Sequence, residues 1–174
     1  MQQFVRIHDP RLTLDEAEQI CRVTLLFNLV AITFIGLFGA IAAYTGARSY
    51  ALILMGVMVL ALTNIACFLI WRRMQQLVLT TCLGYLAFCL YLQISGGQNN
   101  SGILWHFVYP IMVYYIAGLR LGCLSSGLLI ASETLLMQLD HLSFHQAQYS
   151  PEFKMRFLCS MTVMSIMGAM LEHS

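Results

Sequence analysis

From Val23 onward the sequence is built of long apolar runs separated by only a few polar residues each. A run of about 20 such residues is what a helix needs to cross the hydrocarbon of a bilayer. Strands of a membrane β-barrel would instead alternate over segments of about 10 residues. Composition agrees, since 59% of residues are hydrophobic and 10% charged, against about 25% charged in soluble domains. So few charges cannot coat a water-facing surface. A soluble enzyme, a nucleic-acid-binding domain and a disordered chain are excluded. The expected class is all-α, a polytopic membrane bundle. Its 174 residues leave no room for a cytosolic catalytic domain, so these residues alone are not expected to form an enzyme. A net charge of +1 points to no anionic partner.

The chain divides into a polar opening, 1–22, and a membrane part, 23–174. No apolar core follows the initiator, so the opening does not read as a cleaved signal peptide. Thr13 and Glu16 have capping-box spacing, and Leu14, Ala17 and Cys21 recur at helical intervals. A short amphipathic cytoplasmic helix running into the first span is expected. Six spans follow, near 23–45, 50–71, 77–94, 103–119, 121–139 and 155–171. Gly46, Ser95-Gly96-Gly97 and Pro151 punctuate the breaks. Leu119-Arg120-Leu121 is barely a loop, so the fourth and fifth spans form a tight hairpin. Trp71 and Trp105 sit at span ends, where their rings prefer the interface.

Lys and Arg near the span ends set the orientation. Arg6, Arg11, Arg22, Arg72, Arg73 and Arg120 lie on one side, and Arg48, Lys154 and Arg156 on the other. This asymmetry places both termini in the cytoplasm and segments 95–102 and 140–154 outside. The last residues, Leu171-Glu172-His173, fit either a transporter's end or a receptor module continuing into the cytoplasm. They also match the start of a common purification-tag scar.

Several residues are candidates for chemistry. Glu133 is the one acid inside a span, and an intramembrane carboxyl is a functional-site hypothesis because burying its charge is costly. His106 lies a few residues into the fourth span. At 1.5 Å per residue, each lies less than about 10 Å below the same side of the membrane. Asp140, His141 and His145 lie at that side, the two histidines at a spacing that shares a helix face. Together with His106 they could ligate a haem or a transition metal. Trp105, Phe107, Tyr109, Tyr114 and Tyr115 surround Pro110, which is expected to kink the span and open an aromatic, polar-tipped pocket for a small ligand.

Other features read as packing. Asn28 and Asn64 could link helices by hydrogen bonds, while Gly36, Gly39, Ala40 and Ala43 would let helices approach closely. Met161, Met164, Met167 and Met170 recur every three residues and drift around the helix rather than forming a stripe. Cys21, Cys67, Cys82, Cys89, Cys123 and Cys159 are expected as small core-filling thiols, with no disulfide framework or zinc site.

Residues 96–122 resemble the N-terminal six-span sensory region of bacterial membrane-bound diguanylate cyclases of the GGDEF type. The resemblance rests on Gly96, Gly97, Ser101, Gly102, Leu104, Trp105, Pro110, Gly118, Arg120 and Gly122. Related regions also precede histidine kinases. It implies a homodimeric receptor in the bacterial inner membrane, whose last span continues into a cytosolic output domain that makes cyclic di-GMP. His106 departs from the aromatic or apolar residue expected at its position, which favours a specialised ligand there. The rival expectations are a small transporter and a haem-binding electron-transfer bundle.

Overall fold

The computed structural model describes residues 14–97, 101–138 and 149–173. Apolar runs become helices because a backbone in hydrocarbon must satisfy its own hydrogen bonds. Among the described residues there are five α-helices: α1 (Leu14–Tyr44), α2 (Arg48–Trp71), α3 (Met74–Ser95), α4 (Val108–Gln138) and α5 (Pro151–His173). A 3₁₀ helix, Gly102–Phe107, precedes α4. All five are long and apolar enough to cross a membrane, α4 being counted together with its 3₁₀ entry. The protein is therefore a multi-pass membrane protein with five candidate spans. The expected opening helix is continuous with the first span in α1. Thr13, half of its proposed capping box, lies outside the described residues.

The chain forms two compact units, Met1–Gly84 and Tyr85–Ser174. In the first, α1 packs against α2 where Gly36 faces Met58 and Gly39 faces Leu54, with Ala42 fully buried. The close-packing stripe is thus Gly36, Gly39 and Ala42. Ala40 and Ala43 are exposed, a correction to the expected stripe, because the 3–4 residue helical period turns them away from α2. Asn28 donates to Thr81 Oγ1 at 2.9 Å, and Asn64 donates to the same oxygen at 3.2 Å. Thr80 in turn donates to Asn64 Oδ1. Two asparagines and two threonines therefore link α1, α2 and the first half of α3. Such interhelical bonds are worth about 0.6 kcal/mol each in membranes. α2 stops at Arg72, whose left-handed backbone (φ 54°) returns its N–H to Phe68 O at 2.7 Å.

The second unit contains the sharpest departure from regular helix. Gly118 has φ 78° and ψ 174° inside α4, a region open essentially to glycine alone. A straight helix would separate residues 106 and 133 by about 40 Å, yet their side chains touch. The chain therefore doubles back at Gly118, and the two limbs of α4 run against each other. The ring of Tyr114 on the first limb secures this reversal. A Cβ on Gly122 would meet it at 2.3 Å, and a Cβ on Gly168 of α5 would meet it at 2.6 Å. Two bare glycine surfaces thus hold one tyrosine between the returning limb and α5.

Pro110 does not produce the break, contrary to expectation. It lies in the first turn of α4, where a missing N–H costs no intrahelical bond. Its effect falls just upstream. His106 O has no Pro110 N–H to accept, and the chain stays 3₁₀ through Phe107, with Val108 N–H reaching Trp105 O. α5 begins as its sequence suggests, with Ser150 Oγ accepting from Phe153 N–H at 3.2 Å and Pro151 as its first residue.

Replacing Gly118 by alanine is expected to destabilise the protein by about 1–3 kcal/mol, and Gly122→Ala and Gly168→Ala should lower the melting temperature as well. A Cβ on Gly127, in the same helix, would meet nothing within 4 Å. Gly127→Ala should be neutral or stabilising by up to about 1 kcal/mol. Thermal unfolding in mild detergent checks all four.

Candidate functional site

The site is built from three elements. In a 3₁₀ helix residues three apart lie on one line, so Ile103 and His106 share a face that continues to Tyr109. All three are at most 1% exposed. The returning limb of α4 buries Gly122, Ser126, Leu129, Glu133 and Met137, a helical stripe with spacings of three and four. α5 answers with Phe157, Met161, Ser165 and Gly168. Met161 is fully buried while Met167 and Met170 are exposed, so the methionines form no stripe, as their spacing indicates.

His106 and Glu133 meet at the centre of this packing. His106 Nδ1 is hydrogen-bonded to Glu133 Oε1, and both side chains are completely buried. The ring of Phe157 meets the imidazole edge-on, with centroids 5.8 Å apart, and Phe107 packs on Phe157 at 5.3 Å. The thiol of Cys89, fully buried on α3, lies within electrostatic reach of Glu133. One turn beyond Glu133, Lys154 of α5 donates to Met137 O at 2.8 Å, a cation on the carbonyl end of a helix where the macrodipole favours it. A charged carboxylate in such surroundings is costly unless paired. Here Glu133 is paired, through Oε1, with the His106 imidazole.

Two atoms of the pair have no hydrogen-bond partner among the described residues: His106 Nε2 and Glu133 Oε2. A carboxylate on one imidazole nitrogen is also how metal-ligating histidines are oriented, the other nitrogen facing the metal. Among the described residues no three His, Cys, Asp or Glu gather into a metal-binding group. Asp140, His141 and His145 lie outside the described residues, and with them the proposed haem or transition-metal set.

The aromatic residues do not share one role. Tyr109 is buried and stacked on Tyr85, with ring centroids 5.8 Å apart. Tyr85 donates its hydroxyl hydrogen to Trp105 O at 2.9 Å, which fixes the 3₁₀ segment onto α3. Tyr114 is the ring held between Gly122 and Gly168, and Tyr115 is exposed. Pro110 is buried but leaves no kink for these rings to line. All six cysteines are free, Cys82 and Cys89 buried and Cys123 and Cys159 exposed. Phe157 on the imidazole, Cys89 within electrostatic reach of Glu133 and Tyr85 on Trp105 O carry no role in the sequence reading of the site. Phe157 had a signal, standing one helical turn before Met161 on the same face.

No protein-family model, curated protein or solved structure matches the chain.

Removing one member of the pair should be far more damaging than replacing both. Glu133→Ala is expected to cost about 1–3 kcal/mol by leaving the buried imidazole unsatisfied, while His106→Leu combined with Glu133→Leu should recover most of that loss. Melting curves of the single and double variants measure the coupling directly.

Proposed function

We propose that the chain is the membrane sensory module of a bacterial receptor. In this reading each limb of the doubled-back α4 crosses the bilayer, which makes six crossings with both termini in the cytoplasm. The module works as a homodimer in the inner membrane, and α5 carries its signal to a cytosolic output domain that makes cyclic di-GMP. The resemblance carried by Gly96, Gly97, Gly102, Trp105, Pro110, Gly118, Arg120 and Gly122 supports the output class.

The observation that carries the reading is the contact of Phe157 with His106. A module signals only if its stimulus favours one of two packing states. Here the helix that would lead to the output packs directly on the buried His106–Glu133 pair of the second unit. A change at the pair alters the surface against which α5 sits, and Tyr114, seated on Gly168, holds the same helix further along. A small ligand arriving near the outer side would act on α5 through these two contacts.

The test is a fusion of the chain, through α5, to a diguanylate cyclase domain, with cyclic di-GMP measured in living bacteria. Glu133→Gln and Phe157→Ala should each change output by about fivefold or more at unchanged membrane abundance. Val163→Ala, on the exposed face of α5, should leave it unchanged. Equal output from all four proteins would contradict the proposal, and solute flux through vesicles containing the isolated chain would favour the transporter instead.

A further inference from the structure

We propose that His106 and Glu133 form a two-ended proton relay, which takes up a proton at one open end and releases one at the other while staying uncharged. This goes beyond the sensory reading and does not depend on it. The two nitrogens of an imidazole lie on opposite edges of the ring. With Nδ1 engaged by Glu133 Oε1, Nε2 faces away from the carboxyl, and Oε2 is the other terminus of the pair. Both termini are buried without a partner among the described residues.

Burial selects which protonation states matter. No cation is hydrogen-bonded to the pair among the described residues. The apolar ring of Phe157 from α5 packs edge-on against the imidazole, and the buried Cys89 thiol on α3 lies within electrostatic reach of Glu133. A net charge there is costly, so the pair holds two exchangeable protons in total. In one neutral form the protons are on Nε2 and on Oε1, the latter donated to Nδ1. In the other they are on Nδ1, which donates to Oε1, and on Oε2.

Conversion between the two forms is a balanced transfer. The Oε1–H bond breaks as Nδ1–H forms. Oε2 takes a proton from a hydronium on its side as Nε2 gives its own to a water on the opposite side, which becomes hydronium. One proton enters and one leaves, no electrons are exchanged, and the pair is neutral before and after. The reverse sequence moves a proton the other way. An ordinary structural ion pair needs neither open end, whereas a relay needs both.

The experiment is infrared difference spectroscopy of the full chain in nanodiscs, following the carboxyl C=O band after a change from H₂O to D₂O. A protonated-carboxyl band should be present at neutral pH, be lost in Glu133→Gln, and shift promptly in D₂O in the natural protein. In His106→Gln, which keeps a polar side chain at that position, the band should persist and its exchange slow on the order of a hundredfold, the usual scale for losing a positioned proton-transfer group. A natural protein with no such band, or one whose band resists exchange, overturns the proposal without recourse to any variant. So does equal exchange in His106→Gln. A responsive cyclase fusion alongside a non-exchanging band would sink the relay alone, and the opposite pair of results would sink the sensory reading alone.

Discussion

A carboxyl group withdrawn from water inside an apolar bundle must be neutral or be matched, and the second unit is arranged around that requirement. Glu133 finds His106, and His106 is within reach only because the chain reverses at Gly118. The reversal in turn depends on a tyrosine ring lying against two glycines, one on the returning limb and one on α5. Remove the side-chain-free surface at either glycine and the ring no longer fits. The local backbone and the buried pair are thus parts of one arrangement, and neither is explained without the other.

The 3₁₀ entry is the second constraint. Its tighter period aligns Ile103 with His106, so an imidazole that a regular helix would rotate aside is turned into the core. Pro110 supports this by withholding the N–H that an α-helical turn would use. Tyr85 adds a tie from α3 to Trp105 O. The imidazole is therefore positioned by backbone geometry on one side and by Phe157 on the other, which leaves it little freedom to leave the carboxyl.

Much of this was legible in the sequence, and the parts that were not have physical reasons. The apolar runs marked the helices, with breaks near Gly46, Gly96-Gly97 and Pro151, because hydrocarbon thickness fixes span length. The short Leu119-Arg120-Leu121 segment suggested a hairpin, and the rise per residue put His106 and Glu133 at similar depth. Their meeting could not be read, since it depends on a 3₁₀ period that no residue pattern announces. Pro110 misled for the same reason, because a proline in a first turn and one in mid-helix look alike in a sequence. Sequence proximity groups the aromatic cluster as one pocket, whereas helical geometry sends Tyr109 and Tyr114 inward and Tyr115 outward. The expected metal set rested on Asp140, His141 and His145, which lie outside the described residues.

The buried pair is tested by a solid-state NMR distance between the His106 side-chain nitrogens and the Glu133 carboxyl carbon in lipid bilayers, with ¹⁵N-histidine and ¹³C-glutamate labels. A strong dipolar coupling at hydrogen-bonding distance is expected, lost in Glu133→Gln and in His106→Gln. The absence of any coupling in the natural protein would contradict it, as would be found if α4 continued straight through Gly118 and held the two groups about 40 Å apart.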